Sequence, residues 1–431
     1  MKTIHKSEMK NKGANHIIDF YPRQRFSCRR CGFCCRLEIK ITPDEVNRLK
    51  KTMLPSGQYP PAEWFITAPS QPSLFIAAKR ENGECVFRDD SGGCVLHELN
   101  AKPLICRVFP LHVVNWEDGH CSADLRFICP GVGDASGVLL EHQPEIITGI
   151  AVPLKERLAL GNTGYSDKNP AALTAVYRVH AGYRAILHDE TIPLKLRLYT
   201  LSRIIDFHAD KDNYNAIRAA DAGFAADAMD FTRKAASTLS TELSKGIASL
   251  REIIDFRILI TVYLRNDDPL TARSLWRRLK ILCAHSMFAA GGGNLSRINP
   301  HSPDTNGRQC LAAPGKLQMN EAAKEIFQQF LYGKLDSMHF CGSMVNGLSY
   351  EMGMRHLLLS VPVTFTVAAA FARTSKRTVI GVDEMLAAVR LLDLTFGRSP
   401  FLQLKLTGKL LVRLSRPATF AGILNLISSI K

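Results

Sequence analysis

An α+β chain is expected: a small, loop-rich, metal-binding cysteine domain followed by a mainly α-helical C-terminal region. Three observations predict it. Nine of the twelve cysteines lie in the first third, at positions 28, 31, 34, 35, 85, 94, 106, 121 and 129. Residues 55 to 135 are rich in Gly, Pro and Asp with few long periodic stretches, the composition of loops held together by something other than a large core. From about Asn169 onward, apolar residues recur at helical spacing instead.

The chain opens on a polar tail, residues 1–19, whose MKTIHKSEMKNKGANH lacks the apolar stretch of a signal peptide. A cytoplasmic protein with reduced thiols is expected on that basis. The cysteine domain, residues 20–135, begins with Cys28-Arg-Arg-Cys31-Gly-Phe-Cys34-Cys35, four thiols within eight residues. Adjacent cysteines form a disulfide only with strain. Two-residue gaps instead let thiolates point at one metal centre, and Gly32 suits a chain wrapping closely round it. Leu37 to Ile41 then alternates like a short strand. Thr42-Pro-Asp-Glu45 starts a helix, with Thr42 as cap, Pro43 in the first turn and Glu45 completing a capping box, and the helix ends before Pro55.

Further thiols come from Cys85, Cys94, Cys106, Cys121 and Cys129, with His97, His112 and His120 among them. Zinc and iron both fit such donors. Tetrahedral zinc takes thiolates, here with some ligands from distant loops. The opening Cys-x2-Cys-x2-Cys and the later Cys129-Pro130 are also similar to parts of a bacterial ferredoxin run, which holds a [4Fe-4S] cluster. The late Cys283, Cys310 and Cys341 read as small buried hydrophobes.

The CRRCGFCC run, then GECVF (83–87), GGCVLHELNAKPLICRVFP (92–110) and CPGVG (129–133), resembles the cysteine-cluster family of zinc- or iron-chelating CxxCxxCC domains over about residues 20 to 135. Longer members of that family with a helical C-terminal half include the flagellin lysine N-methylases, and the length and layout here are similar to theirs. That resemblance implies a protein-lysine N-methyltransferase using S-adenosylmethionine, with flagellin or another acidic-patched protein as partner. The residues themselves show no glycine-rich dinucleotide fingerprint, no phosphate-binding loop and no nucleophile elbow. No donor-binding residue or catalytic base is therefore named. The alternative is a non-enzymatic metal carrier or a metal-stabilised interaction module.

The helical part divides into residues 136–289, a linker or long loop at 290–319, and a basic helical region at 320–431. Val176, Val179, Tyr183, Ile186 and Leu187 share one helical face, as do Leu194, Leu198, Leu201 and Ile205. Ala323, Ile326, Phe327, Phe330 and Leu331 make a stripe beyond the linker, and another helix runs from Val382 to a glycine stop at Phe396-Gly397. Leu357 to Ala372 is short of the roughly 20 residues a membrane span requires and contains Pro362, so one buried helix or two short ones is expected, with no transmembrane span. The net charge of +15 falls almost wholly after residue 150, and no acidic residue follows Asp393. The leucines and basic residues of that tail are expected as a helix with a solvated face, the alternative being a basic amphipathic surface for an acidic protein, a nucleic acid or a membrane face, and no specific nucleic-acid partner is expected.

Overall fold

A computed structural model describes residues 18–37, 39–51, 63–68, 72–89, 91–116, 121–143, 165, 173–210, 213, 223–265, 275–312, 317–342, 345, 347–396 and 399–427. The chain divides into two compact units, Met1–Ala159 and Leu160–Lys431.

The first unit is built from short pieces. Strands β1 (Ile18–Asp19), β2 (Arg25–Phe26), β3 (Lys40–Ile41), β4 (Phe65–Thr67), β5 (Phe75–Ala77), β6 (Leu111–Asn115), β7 (Cys121–Leu125) and β8 (Val138–Leu139) form three small sheets, ordered β1-β7-β6, β3-β5-β4 and β2-β8. Between them lie α1 (Phe33–Arg36), α2 (Pro43–Lys50), α3 (Val95–Glu98) and α4 (Leu104–Val108). The strand expected over 37–41 is confined to β3, which pairs antiparallel with β5.

Helix α2 starts as its sequence dictates. The Glu45 carboxylate reaches back to accept from the Thr42 backbone N–H at 3.2 Å and the Thr42 hydroxyl at 2.9 Å. Its other oxygen accepts from the backbone N–H of Leu104 at 2.8 Å, so this one buried carboxylate ties together the starts of α2 and α4. The unit also has an apolar core of its own, larger than its loop-rich sequence suggests. Ile41, Val46, Leu49, Trp64, Phe65 and Phe87 pack together, with Phe87 against the Trp64 ring at 5.6 Å, and Cys85 and Cys94 lie on the edge of this cluster.

The second unit is helical: α5 (Leu173–His188), α6 (Leu194–Ala209), α7 (Phe224–Lys234), α8 (Ala236–Ser244), α9 (Leu250–Leu264), α10 (Leu275–Ala289), α11 (Gly307–Ala312), α12 (Glu321–Asp336), α13 (Tyr350–Thr374), α14 (Val382–Thr395), α15 (Lys405–Ser415) and α16 (Pro417–Leu426). A parallel pair, β9 (Gln318–Met319) and β10 (Val379–Ile380), joins the approaches to α12 and α14. Helix α13 is a single helix running through Pro362 and packs against α6, α14 and α15. It is apolar and long enough to cross a membrane by length and composition, and 83 % of its apolar window is buried inside the unit, the environment of a central core helix.

Residues 290–312, expected to belong to a linker or long loop, are packed rather than loose. The Asn299 amide, fully buried, donates to the Leu264 carbonyl at 2.9 Å, and Arg257 donates to the Gly307 carbonyl at 3.1 Å. Of the three late cysteines, Cys310 and Cys341 are buried, whereas Cys283 is exposed on α10. In the basic tail Leu410, Leu411 and Leu414 face inward, Leu404 and Leu406 face solvent, and Arg413 pairs with Asp255 at 2.6 Å.

Candidate metal centre

Four segments far apart in sequence converge on one cavity of about 60 Å³. Cys34 and Cys35 reach it from α1. The left-handed Gly32 (φ 69°) precedes that helix and lies so close to Arg88 that a Cβ would meet the guanidinium carbon at 2.5 Å. Cys85 and Cys94 reach it from two successive tight hairpins, in which Cys85 is bridged to Lys79 and Cys94 to Arg88. The first hairpin is closed by Arg80 N–H donating to the Glu84 carbonyl at 2.7 Å. The second is closed by the Asp89 carboxylate, which accepts from the Gly93 N–H at 2.8 Å. Cys106 arrives on α4, whose start is fixed by Glu45. Leu37, Ile39, Ile41, Phe87 and Leu96 supply an apolar wall.

The electrostatics of this cavity follow from gathering thiols in a half-buried space. The Cys34 thiol is pulled down to about 6 by its hydrogen bond with Cys35, burial opposing and the Lys102 ammonium assisting. Cys35 is driven upward, first by that same hydrogen bond, then by burial and by the charges of Cys34, Cys85 and Cys94. Burial likewise raises Cys85 and Cys94. It raises Cys106 as well, with Cys85, Cys94 and Cys34 adding to it. A proton shared by Cys34 and Cys35 therefore leaves one thiolate ready as a ligand, while the others give up protons only to a cation that replaces them.

Two lysines missing from the sequence-level reading belong to this site. Lys79 lines the cavity and donates to the Cys35 carbonyl and, at 3.0 Å, to the Leu37 carbonyl, holding the C-terminal end of α1. Lys102 lines it as well and lowers the thiols of Cys34, Cys94 and Cys106.

The remaining candidates lie elsewhere in the unit. Cys28 and Cys31 are exposed on the loop before α1, and Cys129 is part-buried in the turn after β7. Cys121 is buried in β7, paired with Ile18 of β1 and Asn115 of β6, and does not line the cavity. His97 is exposed on α3, His112 lies on β6, and neither lines the cavity; His120 lies outside the described residues. Among the described residues no three Cys, His, Asp or Glu side chains are gathered tightly enough to hold an ion as they stand. The donor set nevertheless fits a thiolate-bound metal: soft sulfur ligands, an apolar wall that strengthens their hold on a cation, and two ammonium groups to offset excess negative charge.

Comparison with known proteins agrees with this chemistry. The CxxCxxCC family, with the description "Putative zinc- or iron-chelating domain", matches residues 27–122. No curated protein matches the chain, and no solved structure does. The likeness to flagellin methylases has no counterpart among these matches. The five cysteines that line the cavity all lie within residues 27–122, the stretch similar to the CxxCxxCC domain.

Proposed function

We propose that the N-terminal unit carries an iron–sulfur cluster in the thiol-lined cavity, and that the chain works as the holder of that cluster. The observation that carries this reading is the convergence of Cys34, Cys35, Cys85, Cys94 and Cys106 on one partly enclosed space. A single zinc ion needs four ligands and no cavity around it. Here five thiols line a cavity of about 60 Å³. Such a space suits a multi-atom centre whose metals are each bound by one thiolate. When bound, the centre supplies redox-active iron. The chain's own residues keep it there: the hairpin turns fix Cys85 and Cys94, Glu45 fixes the helix bearing Cys106, and Lys79 fixes the helix bearing Cys34 and Cys35.

Loading requires the thiols to turn inward and to release the protons that burial holds on them, so uptake strengthens as pH rises. Protein purified without oxygen should contain iron and sulfide and absorb broadly in the visible. Colourless protein with stoichiometric zinc would replace the cluster with a tetrahedral site, and protein holding neither metal would end the metal-centre reading. Flagellin lysine methylation gains no support from the family match, which covers residues 27–122 alone, and no described residue at the cavity is assigned to it.

A further inference from the structure

The cysteines outside the cavity are themselves arranged. Segment 25–29 runs antiparallel to the turn that carries Cys129. Phe26 is bridged to Val132, the Ser27 N–H donates to the Gly131 carbonyl at 3.4 Å, and the Gly133 N–H donates to the Arg25 carbonyl at 3.1 Å. The contact is close enough that a Cβ on Gly131 would meet the Ser27 carbonyl oxygen at 2.4 Å, so only glycine fits there. Arg29 pairs with Asp134 across the same ribbon. This register brings Cys28 alongside the Cys129-Pro130 turn. The left-handed Arg30 (φ 52°) and Gly32 (φ 69°) then turn the loop bearing Cys31 into α1, where the Cys35 N–H donates to the Gly32 carbonyl at 3.0 Å.

We propose that the unit holds two thiolate centres rather than one: Cys35, Cys85, Cys94 and Cys106 around the cavity, and Cys28, Cys31, Cys34 and Cys129 at the ribbon beside it. The inference rests on the reading of this unit as a metal binder and extends it to Cys129, which lies beyond the matched residues 27–122. The cavity lining supports the division: Cys35, Cys85, Cys94 and Cys106 line it together with Cys34, whereas Cys28, Cys31 and Cys129 do not. Cys34 is the seam, hydrogen-bonded to Cys35, and successive residues of a helical turn leave its axis about 100° apart, so the pair is suited to serve two neighbouring centres. Each set then has four thiolates, the complement of a tetrahedral ion or a four-iron cluster, and the second set has the two-residue spacing followed by a Cys-Pro that ferredoxin clusters use.

The test is the metal and sulfide content of the full chain purified without oxygen, for the wild type, Cys129→Ser, Cys85→Ser and the double variant. Each single variant should keep about half the wild-type metal, and the double variant should keep almost none. Full retention in Cys129→Ser, or loss of nearly all the metal in either single variant, would overturn the two-centre assignment. Titration of metal-free wild type with Co2+ alone makes the test independent of any variant's folding. The sulfur-to-cobalt absorption should rise to two equivalents per chain, and a break at one would overturn the inference. Wild type with one centre's worth of metal removes only this inference, whereas wild type with none removes the metal-binding reading beneath it.

Discussion

The two units bury ionisable groups in opposite ways. In the helical unit several buried charges meet an opposite charge within the unit. Lys334 of α12 meets Asp393 of α14 at 2.7 Å, both almost fully buried. Arg355 of α13 holds Glu351 at 2.8 Å and Asp206 of α6 at 3.1 Å. Asp336 is shared by Arg184 at 3.0 Å and His188 at 2.8 Å. In the cysteine unit the cavity gathers groups that are alike: Cys35, Cys85, Cys94 and Cys106 would repel one another if ionised, and the Cys34 hydrogen bond at Cys35 and burial at the others keep them protonated. A fold whose charges are paired internally is complete, whereas one that gathers like thiols is arranged for a cation from outside.

Metal removal should break that symmetry most strongly. Structural metal contributes on the order of 10 kcal/mol to small thiolate domains, and the apolar core around Trp64 and Phe87 offsets part of its loss here. Replacing Cys31 and Cys34 by serine, or stripping the metal with a chelator, should expose residues before about 135 to protease far more than those after 170. Hydrogen exchange resolved along the chain checks this, and equal protection of both units in the variant would contradict the contrast.

Charge deletion inverts the experiment. Asp393→Ala leaves the Lys334 ammonium buried beside the rings of Phe330 and Phe396 with its carboxylate gone. About 3–5 kcal/mol should be lost from the helical unit, with metal content unchanged. Pairing it with Lys334→Met should recover much of the loss, and a double variant no more stable than the single would argue against an ion-pair origin.

Acid should act on the same unit, more gently. Burial pulls His356 down to about 3 and His208 down to about 4. Both stay neutral when folded, while the unfolded chain takes up protons below about 6.5. Their contribution is therefore complete above about pH 6.5 and declines as pH falls toward their folded values. Between pH 6.5 and 5 each should cost about 2 kcal/mol. His356→Gln, which keeps a polar partner for the Tyr263 hydroxyl now 2.6 Å from the ring nitrogen, should flatten the slope by that amount in denaturant titrations. An unchanged slope would assign the acid sensitivity elsewhere.

What could be read in the sequence was local. The density of Cys28, Cys31, Cys34 and Cys35 pointed to metal, and Thr42 to Glu45 marked a helix start that the structure reproduces. Non-local facts were hidden. The second oxygen of Glu45 binds Leu104, fifty-nine residues away, and nothing in either segment announces it. Lys79 and Lys102 look like surface lysines until the first hairpin carries Lys79, and the approach to α4 carries Lys102, to the cavity. Residues 290–312 have the glycine and polar content of a free loop, yet Asn299 and Arg257 fasten them to carbonyls that composition cannot locate. The irregular spacing of Trp64, Phe65 and Phe87 likewise concealed a core, because hairpins and not a helical or strand period bring those rings together.

The smallest effect concerns a single proton, and it sharpens the contrast within the cysteine unit. Cys34 lies at about 6, below the ordinary thiol value of 9.0, chiefly because Cys35 donates a hydrogen bond to its sulfur. A group depressed in the folded state stabilises it above the unfolded value and loses that contribution as pH falls through the folded one. For the metal-free protein the contribution should be full above about pH 9 and fade toward pH 6. Reactivity reports the same proton, since the thiolate is the nucleophile. Iodoacetamide at pH 7 should modify Cys34 ahead of Cys85, Cys94 and Cys106, with a midpoint near pH 6, and bound metal should abolish that preference. Cys35→Ala removes the main cause and should carry the midpoint back toward 9, whereas Lys102→Gln removes a lesser one and should move it by less. Peptide mass spectrometry of the alkylated protein reads each midpoint. If Cys34 titrated near 9 in the wild type, or if Cys35→Ala left its midpoint unmoved, the shared proton would not be what readies this thiol, and the lysines would have to supply the whole effect.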